Sequence, residues 1–337
     1  MVDINGIIDL GINLSDDITI MGHKYIDLDA LGGALGLLKY CIDNNKKVHV
    51  YLNPNEFNTS ILKTLEILPK EIKDHFVYDE SCINPNDKSL LVVLDVSSST
   101  VIENKDLFDK FSNSIVIDHH QESKSKLDST VSYINSDASS IVEVICDFLK
   151  SKNYKINDPE ISTAMYTGMC IDTNNFDSAT RANTMMCAAY LLENGASIKR
   201  KRILFQEKKE DIFNRSRLIK RSTSIDVNTV ICVLDSNIYT VDELAKISNE
   251  LLKFDQIDTA YTIGKTKTHT VRISARCFEG EDVEAVMSLL GGGGHKTAAA
   301  VDIKGVSLSK AKEMLLAILN PNKEIDMSKE LKKEINA

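Results

Sequence analysis

Short runs of apolar residues, each ending in polar side chains able to bind metal, recur three times in the first 120 positions. ITIM (18–21) leads into Gly22-His23 with Asp27 and Asp29 close behind, LLVVL (90–94) into Asp95, and SIVI (114–117) into Asp118-His119-His120. Continuous apolar runs of this length predict buried strands of a parallel sheet. Open α/β sheets bind ligands at the carboxyl ends of their strands, so these side chains are expected to converge on one crevice. Between the runs the spacing turns helical. DALGGALGLLKY (29–40) keeps Leu31, Leu35 and Leu38 at helical spacing, KVHVYL (47–52) reads as a strand, and NTSILKTLEIL (58–68) opens with Asn58 or Thr59 as cap. The alternation predicts right-handed βαβ crossovers.

From about 138 to 225 the pattern is almost wholly helical: SSIVEVICDFLKSK, PEISTAMYTGMCIDT, NTMMCAAYLLENG ending at Gly195, then the charged run IKRKRILFQEKKEDIFNRSRLIKRS. Acidic residues interleave with basic ones in that run, which makes it a solvated connector rather than a nucleic-acid patch. A second α/β unit begins near 226. It holds a strand TVICVL, a helix VDELAKISNELLKF and a hairpin made of DTAYTIGKT and HTVRISARC; a helix VEAVMSLL then stops at Gly291–Gly294, before AAAVDIKG and SLSKAKEMLLAIL. The expected domains are therefore 1–195, a helical linker 196–225, a second domain 226–322 and a tail 323–337.

A chain of 337 residues predicts about two domains. Its net charge of −9 argues against a protein that coats long nucleic acid by neutralising phosphates, while a small phosphodiester held by metal ions is compatible with it. Seven cysteines, odd in number and never in a C-x-x-C pair, read as reduced thiols of a cytoplasmic protein. No stretch approaches the ~18 apolar residues of a membrane span. The first residues are acidic where a signal peptide would be basic. A soluble chain is expected.

The spacing H-x3-D-x-D of His23, Asp27 and Asp29 would bury three polar groups at a strand end, which is costly without cations. The plain alternative is a capping aspartate and a satisfied histidine, and Asp95 alone reads as a cap equally well. Adjacent His119 and His120 can divide labour, one on metal and one on substrate, with Asp118 fixing an imidazole; Asp172 in GMCIDTNNF adds a carboxylate. Imidazole with carboxylate and no thiolate suits two Mn²⁺ ions, or Mg²⁺ or another divalent ion. Gly291-Gly292-Gly293-Gly294-His295 carries more glycine than a helix stop requires and suggests an anion-binding nest, beside Lys296. Arg272, Ser274 and Arg276 share one strand face, where the arginines could grip phosphate or meet solvent.

In their order along the chain, MGHKYIDLDALGGALG, LLVVLDVSS, IVIDHH, ASSIVE, GMCIDTNNF, ISAR and GGGGH make this protein resemble the DHH family of phosphoesterases, and within it the catalytic region of GdpP-type cyclic-di-AMP phosphodiesterases. The resemblance implies an α/β fold: a parallel-sheet DHH domain, a helical linker and a smaller α/β C-terminal domain, with substrate in the cleft between them. It implies one Mn²⁺ on His23, Asp27 and Asp95, and a second on Asp29, Asp95, His119 and Asp172, with Asp95 bridging. Asp95, His120 and Asp118 would be catalytic, and His120 would touch the scissile phosphate. Ser139, Ser140, Arg276, Gly291, Gly292, Gly293, Gly294 and His295 would bind substrate. The implied reaction converts cyclic di-AMP to linear pApA. The alternative is a short-oligonucleotide exonuclease or pAp phosphatase of the same superfamily; a silent nucleotide sensor would lack a ligand, and every position is filled. A homodimer is among the expected partners. Four residues depart from the family pattern: Ile26 replaces proline, Gln121 a basic residue, Asn183 stands near a usual arginine and Ala298 near a usual asparagine. GdpP-type proteins carry membrane, sensory and degenerate cyclase regions upstream, so the chain is expected to be an excised catalytic part, whose longer parent is membrane-tethered, or a stand-alone relative.

Overall fold

In the computed structural model, which describes residues 3–120, 125–178, 180–278 and 280–319, the chain folds as two units, Met1–Gln206 and Glu207–Ala337. Gln121 and the expected tail 323–337 lie outside the described residues. The first unit runs α1 (Ile4–Leu14), β1 (Asp17–Met21), α2 (Leu28–Asp43), β2 (Lys47–Tyr51), α3 (Thr59–Ile67), α4 (Lys70–Lys73), β3 (Phe76–Val77), β4 (Ser89–Leu94), α5 (Lys105–Phe108), β5 (Asn113–Asp118), β6 (Val131–Ile134), α6 (Ile141–Ser151), α7 (Pro159–Asp172), α8 (Ala182–Glu193) and α9 (Ile198–Leu204). Its six strands form one parallel sheet in the order β3-β2-β1-β4-β5-β6. The strand order reverses between β1 and β4, which are neighbours at the centre.

The apolar runs form strands because both of their faces are covered. Ile18, Ile20, Leu90, Val92, Leu94, Ile115 and Ile117 join a core with α1, α2, α6, α7 and α8. Met21, Leu91, Val93 and Val116 point the other way, onto Ile102, Leu107, Phe108 and Leu127. All six residues of β4 are buried, which is why the run shows no polar alternation. α7 presses onto α2 through Gly168, where a side chain would collide with the Leu28 carbonyl and the Asp29 backbone. That close approach brings the end of α7 to the start of α2. Asn58, rather than Thr59, caps α3, its side chain accepting from the Ile61 N–H at 2.9 Å.

The charged run forms two helices, α9 and α10, and the division between units falls between them at Gln206 and Glu207. Positions 206–210 carry no apolar side chain to bury, so one continuous amphipathic face cannot form there. The second unit comprises α10 (Lys209–Ile219), β7 (Ser222–Ser224), β8 (Thr229–Ile238), α11 (Val241–Leu251), β9 (Thr259–Lys267), β10 (Thr270–Cys277), α12 (Val283–Leu289), β11 (Gly293–His295), β12 (Ala298–Lys304) and α13 (Leu308–Leu319). Its sheet has the order β11-β12-β10-β9-β8-β7, antiparallel except between β8 and β9. β9 and β10 form the expected hairpin. Among the described residues no helix is long and apolar enough to cross a membrane.

Candidate metal centre

The side chains that follow β1, β4 and β5 meet at the point where the strand order reverses, the usual ligand crevice of an open α/β sheet. His23 follows β1. Its Nδ1 lies 2.7 Å from the Lys24 carbonyl, which can only accept, so Nδ1 donates there and Nε2 is turned to the crevice. Nε2 faces Asp27 Oδ2 at 3.7 Å and Asp95 Oδ2 at 3.5 Å. The two Asp27 oxygens have separate partners. Oδ1 caps α2 by accepting from the Asp29 and Ala30 N–H groups, each at 3.0 Å, while Oδ2 turns to His23.

Asp95 follows β4 with a backbone φ of +65°, a left-handed conformation that costs a non-glycine residue and clusters at functional sites. This aims its carboxylate back over the sheet. Oδ1 lies 3.1 Å from His119 Nε2 and 3.5 Å from His120 Nδ1, and Oδ2 faces His23. His119 repeats the His23 arrangement. Nδ1 faces the Ala138 carbonyl at 3.3 Å, and Nε2 points to Asp95 Oδ1, to Asp172 Oδ2 at 3.1 Å and to Asp29 Oδ2 at 3.6 Å. Asp29 is fully buried, and both its oxygens accept from the first N–H groups of α6, Ile141 at 2.6 Å and Val142 at 3.2 Å.

Three overlapping groups result: His23, Asp27 and Asp95; Asp95, His119 and His120; Asp29, His119 and Asp172. Within each, the ligand atoms lie within 4.8 Å of one another. Burial raises the Asp29 carboxyl well above its ordinary range, and the Asp172 and Asp95 charges raise it further. Asp172 is pushed up to about 6, by burial first and by the Asp27 and Asp95 charges, against the hydrogen bond with His119. Burial also pushes Asp95 up, yet the hydrogen bonds to His119 and His23 prevail and hold its carboxyl below the ordinary range. Four carboxylates thus crowd together, and among the described residues none forms an ion pair with lysine or arginine. Asp95 Oδ1 is buried without a hydrogen bond of normal geometry. A hard-oxygen and imidazole set lacking positive charge fits divalent cations.

Asp118, the last residue of β5, is not in any of these groups. Its Oδ1 accepts from the His120 backbone N–H at 3.1 Å and meets His120 Nδ1 at 2.7 Å, which fixes the imidazole. The His120 side chain is 40% exposed. Burial lowers its pKa, but the Asp118 hydrogen bond and the Asp95 charge outweigh that and raise it above the usual histidine range. Ser139 and Ser140, expected to contact substrate, are engaged at the start of α6. Both are buried, the Ser139 hydroxyl donates to Glu143 Oε2 at 2.6 Å, and Ser140 Oγ accepts from the Glu143 N–H at 3.1 Å. Glu143 closes the ASSIVE motif, and Ser140-Ile141-Val142-Glu143 is the S-x-x-E signature of a helix start.

Arg276 and Gly291–His295 belong to the second unit. Burial first, then the neighbouring Arg272 charge, pulls the Arg276 guanidinium down to about 10. Its Nη1 donates to the Ala275 carbonyl at 2.8 Å, and among the described residues no carboxylate pairs with it. Arg272, in contrast, is paired with Asp302 across β10 and β12 at 2.7 Å. The glycine run supplies fewer anion donors than expected. The N–H groups of Gly291 and Gly292 are taken by the Ser288 and Met287 carbonyls, and Gly293 and Gly294 form β11. Side chains at 292 or 294 would collide with the β12 backbone. The His295 side chain lies outside the described residues.

Residues 17–169 match the family model described as DHH family, N-terminal domain, and residues 223–321 match the DHHA1 domain. The chain is 30% identical to the cyclic-di-AMP phosphodiesterase GdpP of Bacillus subtilis over 89% of its own length and 47% of that protein. It is 30% identical to the cyclic-di-AMP phosphodiesterase PdeA of Listeria monocytogenes over 92% of this chain and 48% of that one. The chain therefore spans about half the length of these relatives. An exopolyphosphatase-related protein from Bacteroides fragilis has the same fold, with a TM-score of 0.77 at 20% identity, covering 94% of this chain and 95% of that one. From the ordered motifs, the parallel sheet with its carboxylate and histidine crevice, and these matches, the chain belongs to the DHH family, a DHH domain followed by a DHHA1 domain.

Proposed function

We propose that the protein is a two-metal phosphodiesterase that hydrolyses cyclic di-AMP to pApA. The observation that carries the reading is the sharing of Asp95 and His119 among three ligand groups, in a chain that matches cyclic-di-AMP phosphodiesterases over about nine-tenths of its length. One ion would be held by His23, Asp27 and Asp95, the other by Asp29, Asp95, His119 and Asp172, with Mn²⁺ the ion the donor set suits best. When bound, the ions supply Lewis acidity toward water and the phosphate oxygens. The protein's own groups do the rest. Asp95 spans both ligand sets and fixes their separation. Asp118 holds His120 by Nδ1, which orients an imidazole that, in its protonated form, can donate to a non-bridging phosphate oxygen or to the departing 3′-oxygen. Arg276, a half-buried cation with no carboxylate in ion-pair contact among the described residues, is assigned to a second phosphate of the dinucleotide.

The test is parallel incubation with cyclic di-AMP, cyclic di-GMP, pApA and pAp in Mn²⁺, with products separated by chromatography. Fastest consumption of cyclic di-AMP, with pApA accumulating, is expected. Rapid release of AMP from pApA or pAp while cyclic di-AMP stays intact would replace this reading with an oligonucleotide or pAp hydrolase.

A further inference from the structure

The buried carboxylate of Glu143 lies outside the three ligand groups, yet it is 1% exposed and accepts five hydrogen bonds. Oε2 receives the Ser139 N–H at 3.0 Å, the Ser139 hydroxyl at 2.6 Å and the Thr184 hydroxyl at 2.8 Å. Oε1 receives Arg181 Nη2 at 2.8 Å and Asn183 Nδ2 at 2.9 Å. An ionised carboxylate offers about four lone-pair positions, so five donors leave Glu143 no capacity to ligate an ion. Its work is structural, and its location says what it supports.

α6 begins in an unusual way. Its third N–H is capped by Ser140 in the ordinary manner, but its first two, on Ile141 and Val142, are given to Asp29, a residue 112 positions earlier at the base of α2. Those two donors fix both oxygens of Asp29 and leave its remaining lone pairs toward His119 and Asp172. The positive end of the α6 dipole also favours the ionised form there. Asp29 therefore points where α6 starts, and the start of α6 is set by Glu143, which ties Ser139 to the first turn of α8 through Arg181, Asn183 and Thr184. Asn183, which stands near a usual arginine, takes part by bridging Glu143 Oε1 and Asp147 Oδ2, the latter at 2.8 Å, while Arg181 supplies the guanidinium from two residues earlier.

We propose that Glu143, neutralised by Arg181, is a positioning residue that holds the start of α6 so that its backbone presents Asp29 to one of the two metal ions. The inference rests on the two-metal reading above and adds a second layer that acts on one ion and not the other. Asp29 shares its ligand group with His119 and Asp172, whereas His23 and Asp27 are held by the Lys24 carbonyl and the start of α2, which Glu143 does not touch.

The experiment titrates metal-stripped protein with Mn²⁺, following the free-ion signal by electron paramagnetic resonance, beside a thermal melt and hydrolysis of bis-p-nitrophenyl phosphate. In Glu143→Gln an amide replaces one oxygen and faces donors with a donor. One of the two Mn²⁺ equivalents is expected to bind about 10- to 100-fold more weakly, the range for losing a group that orients a ligand, while the other changes little. Arg181→Ala, at a half-exposed side chain, removes the charge without disturbing the core and should weaken the same equivalent by a smaller factor; Arg181→Lys should restore part of the loss. Unchanged affinities in both variants, or equal loss at both equivalents in step with a lower melting temperature, would overturn the inference. Wild-type protein that binds fewer than two ions would overturn it together with the two-metal reading. Two ions bound without phosphodiester hydrolysis would refute the proposed function and leave the Glu143 inference standing on its titration.

Discussion

The two units carry opposite electrostatic imbalances. In the first, Asp27, Asp29, Asp95 and Asp172 crowd around His23 and His119, with no lysine or arginine pairing with them among the described residues. In the second, Arg276 is half-buried with no carboxylate in ion-pair contact among the described residues, although Arg272 four residues earlier has found Asp302. Burying charge without a partner is costly, so each imbalance marks what is missing. The first unit lacks cations, which divalent ions would supply, and Arg276 in the second would accept an anionic group.

Removing the cations should produce the largest effect. Chelation is expected to abolish phosphodiester hydrolysis and to lower the melting temperature, because ions that bind only the folded chain stabilise it by mass action. Readdition of Mn²⁺ should restore both and Zn²⁺ should restore activity poorly; full activity in protein shown metal-free by elemental analysis would break the comparison at its first half. Next in size is Asp95→Asn. Weakening the ligand common to both ions should remove several kcal/mol of transition-state stabilisation, or about 10³-fold in kcat, while circular dichroism shows an intact fold. Near-native turnover with unchanged metal content would take Asp95 out of the centre.

Arg276→Ala sharpens the second half. Loss of a charge-assisted contact should reduce kcat/KM on cyclic di-AMP by about 10- to 100-fold. Bis-p-nitrophenyl phosphate has no second phosphate, so its turnover should fall far less, and metal content should not change; equal loss on both substrates would assign Arg276 to the reacting phosphate. The smallest effect is a pH dependence inside the first unit. Burial raises the Glu143 pKa, but hydrogen bonds from Ser139, Asn183 and Thr184 bring it below the ordinary 4.5. A depressed carboxyl pKa gives stability that is present above the unfolded value and lost as pH falls through the folded one. The melting-temperature advantage of the wild type over Glu143→Gln should therefore be full at neutral pH and shrink below about pH 4.5. An advantage that stays constant down to pH 3 would show that the ionised form is not what the five donors hold.

The crevice was legible in the sequence because its residues sit at the ends of apolar runs. A strand buried on both faces shows as a run, and the side chain that follows it is carried to the sheet edge whatever the intervening loops do. Asp27 illustrates the limit of that legibility. Cap and ligand were competing readings, and the oxygens divide, one capping α2 and the other facing His23. Ser139, Ser140 and Glu143 were opaque for a different reason, since the N–H groups they organise are given to Asp29, 112 positions away, and no local pattern encodes that partner. The glycine run suggested a nest, but the need for glycine at 292 and 294 comes from the close approach of β12, and a three-residue strand made of Gly293, Gly294 and His295 has no β-branched or aromatic signal to reveal it. The break between α9 and α10 was hidden because a charged run reads as one solvated face until a packing partner is known.

The central claim, that one crevice holds two ions joined by Asp95, is tested most directly by counting and coupling the metals in the whole protein. Metal-stripped chain loaded with Mn²⁺ should bind two equivalents, and low-temperature electron paramagnetic resonance should show the multiline spectrum of a spin-coupled pair, replaced in Asp95→Asn by the signal of uncoupled ions. A single equivalent, or two with uncoupled spectra in the wild type, would contradict it.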